Sequence, residues 1–303
     1  MFTSIPPRAR RLVGDRDFGP AWQAACVESW RRAGFGVVSL NSAQEIESLR
    51  GTAPAGVAFV RLPDGATVPR IVDFLDAARE SGAPVAGIVN ADCMMIPQTG
   101  LAERLADGLG DVVIVERINV DRETLRPTGR HCYGFDGFFF PTQAVGAAAR
   151  DESWRIGDTW WDYWLPIAFR LGGVGTRTLP APALIHLDHD VAWDKQGWID
   201  KCGRLLDYVR ASRTRPDNAE LAALFDATPV RPGEQDVHAL SLRIFAWLRA
   251  CEPLWRPERA SVDDLVASVL NALATSPHPE TTLAAPPAAT RPLRRMLARF
   301  GLS

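Results

Sequence analysis

The chain has 303 residues, of which 47% are hydrophobic and 23% charged, and its formal net charge is −2. These values describe a soluble globular protein with one large or two modest domains, and they exclude a small scaffold that depends on disulfide or metal staples. The nearly neutral charge gives no reason to expect nucleic acid as a partner.

The cysteines are odd in number, widely spaced and without a Cys-x-x-Cys pair, which predicts reduced core thiols with neither a disulfide nor a bound metal. They are Cys26, Cys93, Cys132, Cys202 and Cys251. The N-terminal stretch lacks the apolar run of a signal peptide, and no stretch reaches the roughly 18 apolar residues of a membrane span. We therefore expect a cytoplasmic protein with no transmembrane segment.

The first part of the chain alternates short apolar runs with helical patterns, which predicts a mostly parallel sheet flanked by helices. Ser42 and Glu45 form a capping-box pattern at the start of one of these helices. The predicted strands cover residues 2–5, 36–40, 56–60 and 85–89, and the predicted helices cover 20–33, 43–49 and 68–78.

The apolar run at 85–89 is followed directly by Asn90-Ala91-Asp92. A continuous apolar run is typical of a parallel strand that is buried on both faces. Because ligands bind outside the carboxyl ends of strands in open α/β sheets, Asp92 is the first functional candidate. A turn, or a cap for the following helix, explains the same residues.

Residues 98–109 read as a helix and 112–118 as another strand. The segment 129–141, GRHCYGFDGFFFP, predicts a loop that enters a buried strand. Its glycines can let the backbone approach a ligand, or they can simply permit a tight turn into a core strand.

The segment 155–173 combines acidic and aromatic residues. Asp158 is suited to cap a helix, and Asp162 lies four positions further on, hence on the same predicted face. A carboxylate among aromatic rings has a raised pKa and suits a general base, so we assign catalysis to Asp162 and a structural role to Asp158. The tryptophans here can stack against a sugar, although a tryptophan on a helix is more often a core residue.

A strand predicted at 174–179 precedes the run ALIHLDHD at 183–190. A group of imidazoles and carboxylates within five positions is a candidate for binding a divalent metal. The group consists of His186, Asp188, His189 and Asp190.

The remaining chain predicts helices, which we interpret as a small C-terminal helical subdomain. These helices cover 194–211, 217–226, 234–251 and 261–275, giving a division into 1–200, 201–275 and 276–303. Residues 276–292 read as a linker. The basic tail is either a frayed terminal helix or an amphipathic helix that contacts an anionic membrane surface or a partner.

In their order and spacing these motifs resemble the GT-A class of nucleotide-sugar-dependent glycosyltransferases. The resemblance covers roughly residues 1–200 and leaves the C-terminal third unexplained. It departs from the class at Asn90, which replaces the first acidic residue of an Asp-x-Asp motif. The matching stretches are Asn90-Ala91-Asp92, Tyr133-Gly134-Phe135-Asp136-Gly137, Gly157-Asp158-Thr159-Trp160-Trp161-Asp162 and His186.

The resemblance implies a GT-A (Rossmann-like) sheet and transfer of a sugar from a nucleotide-diphosphate donor to an unknown glycan or other hydroxyl acceptor. It also implies a Mn²⁺ or Mg²⁺ cofactor held by Asp92 and His186. On this basis the catalytic base is Asp162 or Asp158. The residues expected on the nucleotide side are Thr3, Ser4, Arg8, Asn41, Asn90 and Asp92. Those expected on the acceptor or sugar side are Tyr133, Gly134, Asp136 and Trp161.

Three other functions remain open. A nucleotidyltransferase shares the α/β core and metal, although the first loop here carries Pro-Pro-Arg where a Gly-rich phosphate loop is usual. A metal-dependent phosphoester hydrolase can use the acidic and histidine cluster together with Asp92. A degenerate transferase fold that serves as an interaction module is favoured by Asn90. A Rossmann dehydrogenase is disfavoured, because the clustered glycines at 172–175 precede a strand.

Overall fold

The structure is a computed structural model that describes residues 1–10, 12–13, 16–17, 19–96, 100–107, 109–121, 127–128, 134–179, 183–188, 194–212 and 219–255. Several predictions lie outside these residues. They concern Cys132, Tyr133, His189, Asp190, the helix at 261–275, and the linker and tail at 276–303.

Most strands fall where the apolar runs predict them, but the short strands at 12–13, 16–17 and 93–95 were not predicted. They are β1 (Phe2–Thr3), β2 (Leu12–Val13), β3 (Arg16–Asp17), β4 (Val37–Asn41), β5 (Val57–Arg61), β6 (Val85–Val89), β7 (Cys93–Met95), β8 (Val112–Val115), β9 (Arg117–Val120), β10 (Gly137–Pro141), β11 (Thr176–Thr178) and β12 (Leu184–Leu187).

The helices also follow the predicted pattern, and a short 3₁₀ helix covers Thr142–Gly146. They are α1 (Gly19–Arg32), α2 (Ala43–Leu49), α3 (Ile71–Glu80), α4 (Leu101–Ala106), α5 (Trp161–Leu171), α6 (Lys195–Ala211), α7 (Ala219–Asp226) and α8 (Glu234–Arg249). The capping box of Ser42 and Glu45 is present at the start of α2. None of the described helices is both long enough and apolar enough to cross a membrane.

The described strands form a seven-stranded sheet in the order β11-β8-β10-β6-β1-β4-β5, with β6 at its centre. Every pairing in this sheet is parallel except those of β10, which runs antiparallel to both β6 and β8. The prediction of a mostly parallel sheet flanked by helices is therefore confirmed. Because β10 is reversed, its amino end lies at the same edge of the sheet as the carboxyl ends of β6 and β8.

A smaller sheet, in the order β7-β12-β9, continues from this edge. β7 follows β6 after the turn at 90–92, and β9 follows β8 after Glu116. The predicted single strand at 112–118 was therefore wrong: it is two strands, because the first half pairs with β10 and the second half with β12.

The inner strands of the main sheet are buried on both faces, as the continuous apolar runs predict, whereas the edge strands β5 and β11 are only partly buried. Along β10 the side chains alternate, so Phe138 and Phe140 pack in one hydrophobic cluster and Phe139 in the other. The cluster containing Phe139 also includes side chains of α1 and α4.

The cluster on the opposite face includes side chains of α3, α5 and the C-terminal helices α6 to α8. Helical spacing predicts an apolar stripe of Val237, Leu240, Ile244, Leu248 and Cys251. The first four are buried in this cluster, whereas Cys251 lies beyond the end of α8 and is only partly buried. Helix α6 runs through residue 200, the boundary expected between the first two domains. The C-terminal helices and the sheet therefore share one core.

Candidate active site

A cavity of about 870 Å³ opens where the strands of the main sheet end. One side is formed by the loop after β1, the start of α1 and the turn after β6. Residues 156–163 and side chains from α6 and α8 also line the cavity. The cavity therefore lies at the strand ends where an open α/β sheet binds its ligands.

Asp92 and His186 converge in this cavity. The Oδ2 atom of Asp92 lies 3.5 Å from Nε2 of His186, and the histidine ring is buried. Strand β12 places His186 opposite Cys93, the residue after Asp92, and Nδ1 of His186 lies 3.3 Å from Oδ1 of Asn119. The expected convergence of these two side chains is therefore present. Asp188, which follows β12, also lines the cavity.

The described residues include no group of three or more His, Cys, Asp or Glu side chains able to hold a metal ion. A metal at this point would have two protein ligands, Asp92 and His186, and would need its remaining ligands from a bound phosphate or water.

Helix α1 holds the turn that carries Asp92. The indole N–H of Trp22 donates to the backbone carbonyl of Asp92 at 2.8 Å, and that of Trp30 donates to the carbonyl of Cys93 at 2.9 Å. The backbone N–H of Met95 donates to Oγ of Ser29 at 2.9 Å. The face of α1 that packs in the hydrophobic core thus also fixes the backbone beside the candidate metal ligand.

A buried polar group joins the ends of β6, β9 and β10. The Asp136 carboxylate forms an ion pair with Arg117 and accepts a hydrogen bond of 2.7 Å from Nδ2 of Asn90. The backbone N–H of Asn90 also donates to the carbonyl of Asp136 at 3.0 Å. Asp136 lines the cavity, but its carboxylate is already engaged by these two partners, which gives it a structural role at the base of the site.

The Asp162 carboxylate lies in the first turn of α5 and accepts a hydrogen bond of 2.9 Å from the backbone N–H of Phe135. Burial raises its pKa to about 6, although backbone N–H groups and the charge of Arg117 act in the opposite direction. Part of the residue remains open to the cavity. The raised pKa matches the environment predicted from the sequence.

Gly134 allows this contact, because a Cβ atom there would lie 2.8 Å from Oδ2 of Asp162. The glycine of the predicted acceptor-side loop therefore lets the loop approach the carboxylate closely. It lines the cavity beside Asp162.

The prediction that Asp158 caps helix α5 was wrong. The helix begins at Trp161, and its N-cap residue is Trp160, whose φ of 71° is left-handed. Asp158 instead pairs with Nζ of Lys201 at 2.8 Å, so it is not on the same helical face as Asp162. The tertiary contacts of the Trp160 indole with Trp198 explain why the helix starts two residues late.

Two residues expected on the nucleotide side do not reach the cavity. Thr3 and Asn41 are fully buried. The Asn41 amide donates to the carbonyl of Ile5 at 2.9 Å and so ties the end of β4 to the loop after β1. Ser4 and Arg8 do line the cavity, as do Asn90 and Asp92. Trp161 borders it as well, but the residue is almost completely buried and packs edge-on against Phe138.

Sequence reasoning missed four residues at this site: Arg117, Trp22, Trp198 and His238. An arginine within a strand pattern gives no sign of a buried partner, and Trp22 reads only as helix packing. Trp198 and His238 lie in the C-terminal helices, beyond the residues that carry the resemblance. An aromatic residue on a predicted helix does not reveal whether it faces the core or a cavity.

No family model matches the chain, and no curated protein matches it. One similar solved structure is "Mannosyltransferase PcManGT from Pyrobaculum calidifontis in complex with GDP-Man and Mn2+". The alignment covers 99% of this chain and 78% of that one, with 12% sequence identity and a TM-score of 0.44. At these values the function has to be argued from the site of this chain.

Proposed function

We propose that the chain is a glycosyltransferase that moves a sugar from a nucleotide-diphosphate donor to a hydroxyl acceptor with the help of a divalent ion. The observation that carries this proposal is the convergence of Asp92 and His186 at 3.5 Å in the cavity that also contains Asp162. A candidate metal site and a candidate base thus share one large cavity, as transfer between two bound substrates requires.

The pair fits a divalent ion. Two ligands that each lie about 2.1 Å from one ion are about 3–4 Å apart, which matches the separation of Asp92 and His186. Two protein ligands suffice when the donor's phosphates and water complete the coordination shell. When bound, the ion would stabilise the negative charge that develops on the departing diphosphate.

The residues of the chain would then act on the acceptor. An acceptor hydroxyl oxygen forms a bond to the anomeric carbon of the sugar, while the bond between that carbon and the diphosphate oxygen breaks and its electron pair leaves with the diphosphate. The hydroxyl proton passes to Asp162. A carboxylate with a pKa of about 6 is mostly ionised at neutral pH and is a stronger base than an ordinary aspartate.

The donor nucleotide is expected over the loop after β1, where Ser4 and the exposed side chain of Arg8 line the cavity. The positive charge of Arg8 favours a negatively charged donor.

The first experiment is a thermal-unfolding panel of UDP, GDP, CMP and dTDP, and of sugar nucleotides including GDP-mannose, with and without Mn²⁺. A ligand present at a hundredfold excess over its Kd stabilises the protein by about 2.7 kcal/mol, which raises Tm measurably. Asp92→Asn and His186→Ala should each remove the Mn²⁺-dependent part of the shift. Asp107→Asn, an exposed aspartate at the end of α4, is the matched control and should retain it.

The second experiment separates the alternatives by following the donor. Release of the nucleotide diphosphate that depends on an added acceptor supports a glycosyltransferase. Turnover of phosphoesters without any acceptor supports a hydrolase. A protein that binds no nucleotide under any condition would overturn the proposal and favour an interaction module.

A further inference from the structure

We infer that the acceptor is a carbohydrate, and that the ring of Trp198 is the surface on which its sugar binds. This inference rests on the proposed glycosyltransferase function, because it assigns the acceptor side of the same cavity. It concerns residues of α6 and α8, which lie outside the motifs that suggested the function.

Trp198 is a partly exposed tryptophan in the first turns of α6, and it lines the cavity. A tryptophan that borders a cavity leaves apolar ring surface in contact with water unless a ligand covers it. A flat aromatic ring suits a pyranose, because the C–H groups on one face of the sugar are apolar while its hydroxyl groups stay free at the edge.

Trp160 holds Trp198 in position. Its indole N–H donates to the backbone carbonyl of Trp198 at 2.9 Å, and the two rings stack with centroids 6.0 Å apart at an interplanar angle of 25°. Trp160 keeps these contacts in a left-handed backbone conformation, which is strained for a bulky side chain. The fold thus maintains an unfavourable backbone angle at the residue that supports the Trp198 ring.

This support also sets the position of Trp198 relative to the candidate base. Trp160 is two residues before Asp162, and Asp158, on the other side of Trp160, lines the same cavity. An acceptor whose ring covers Trp198 would therefore lie on the side of the cavity that carries the Asp162 carboxylate. His186 lies on the smaller sheet and Asp92 in the turn just before it, so the proposed metal ligands and the proposed acceptor surface come from different elements.

Polar side chains of α8 line the same cavity as Trp198, which favours a sugar over a lipid alcohol. Helix α8 contributes the exposed His238 and the hydroxyl-bearing Ser241 to the cavity. Among the described residues, the exposed large aliphatic side chains are Val68, which borders the cavity, and Val230, which does not. An aromatic ring that shares a cavity with hydrogen-bonding side chains, and with one exposed large aliphatic side chain among the described residues, matches a polyhydroxylated ring.

The test measures sugar transfer from the nucleotide sugar selected by the thermal-unfolding panel. The acceptor probes are p-nitrophenyl glycosides of glucose, galactose, mannose and N-acetylglucosamine, with farnesyl phosphate in detergent as the lipid probe. The variants are Trp198→Leu, which keeps an apolar side chain without a flat ring, and Trp198→Phe, which keeps an aromatic face. Trp255→Ala is the matched control, because Trp255 is also partly buried but does not line the cavity.

We expect transfer to at least one glycoside, with a KM for that glycoside at least about tenfold higher in Trp198→Leu, equivalent to about 1.4 kcal/mol. Trp198→Phe should recover most of this loss, and Trp255→Ala should behave as the wild type. The affinity of Trp198→Leu for the nucleotide diphosphate should stay within about twofold, because the ring is assigned to the acceptor.

Three results would overturn the inference: transfer to farnesyl phosphate but to no glycoside, an unchanged glycoside KM in Trp198→Leu, or a loss of nucleotide affinity in that variant. Binding of the donor with no transfer to any glycoside would count against it as well. Failure of the proposed function is recognised separately, because the wild-type protein would then show no nucleotide-dependent shift in Tm or would turn over phosphoesters without any acceptor.

Discussion

The indole N–H of Trp22 donates a hydrogen bond of 2.8 Å to the backbone carbonyl of Asp92, a residue 70 positions away in the sequence. The bond anchors the turn after the central strand to helix α1, at the point where the chain presents its candidate metal ligand. Trp30 makes the same kind of bond to the carbonyl of the next residue, Cys93, at 2.9 Å.

Trp22→Phe should weaken Mn²⁺ binding in the presence of nucleotide diphosphate, because the carbonyl of Asp92 loses its donor while most of the ring packing remains. Leaving such a carbonyl without its partner also destabilises the fold by about 1–3 kcal/mol. Trp30→Phe is the matched control: it loses an equivalent bond, but Trp30 does not line the cavity. Equal Mn²⁺ affinities in the two variants, measured by titration, would contradict a specific role for Trp22.

Asp162→Asn should lower the transfer rate by the ~10²–10⁴-fold typical of a lost general base, with little change in nucleotide affinity. Asp158→Asn should have a small effect, because its ion pair with Lys201 is partly exposed and contributes at most about 1 kcal/mol. The two variants are compared by steady-state transfer kinetics. Full activity in Asp162→Asn would leave this carboxylate with only its structural role toward the Phe135 backbone.

The transfer activity should fall as the pH is lowered through about 6. The pKa of Asp162 is raised to about 6, so the carboxylate binds a proton below this pH and can no longer accept one from the acceptor. A profile of kcat/KM between about pH 4.5 and 8, which brackets this pKa, reports the ionisation in the free enzyme. An acid limb that persists unchanged in an active Asp162 variant would assign the titration to another group.

Gly134→Ala should reduce both stability and transfer, since the new Cβ atom would lie 2.8 Å from Oδ2 of Asp162. Insertion of a methyl group at such a tight contact destabilises by roughly 1–3 kcal/mol, which denaturant unfolding measures. Gly203→Ala is the control, because nothing lies within 4 Å of its Cβ position and it is inside helix α6. That variant should be more stable by about 0.4–1 kcal/mol.

Asn90→Asp, which restores an acidic residue to the motif, should not strengthen metal binding. The Asn90 amide donates to Asp136 at 2.7 Å, so the substitution would place two carboxylates in contact and destabilise the fold by roughly 1–3 kcal/mol. Combining Asn90→Asp with Asp136→Asn returns one amide to the pair and should recover part of the stability. Tighter Mn²⁺ binding by the single variant would show that Asn90 faces the metal instead.

The sequence predicts the elements whose signals are local. The capping box of Ser42 and Glu45 starts α2, and the apolar stripe of α8 is buried as expected. The division of the predicted strand at Glu116 could not be predicted, because the apolar pattern continues through this residue. Only the choice of partner strands separates β8 from β9. The predicted start of the third helix at residue 68 was also wrong. Helix α3 starts at Ile71, and the Val68 side chain is exposed.

Within the site, a residue could be predicted from the sequence when its role does not depend on a partner far away in the chain. Asp92 and His186 were identified because a carboxylate after a central strand and a histidine in an acidic group are recognisable individually. Arg117 was not, because its burial depends on Asp136 from another strand. The role of Asp158 was misassigned because the contacts that place Trp160 at the start of α5 come from Trp198, 38 residues away.

The reversed strand β10 has a consequence for how the protein acquires its binding site during folding. Asn90 and Asp136 meet only when β10 pairs with β6 in the correct register, across a separation of 46 residues. A slip of one residue would turn Phe138, Phe139 and Phe140 to the wrong faces of the sheet, so misregistered chains are strongly disfavoured. Because such long-range pairings close late, nucleotide binding should appear after most helical signal during refolding, and it can serve as a reporter of the final folding step.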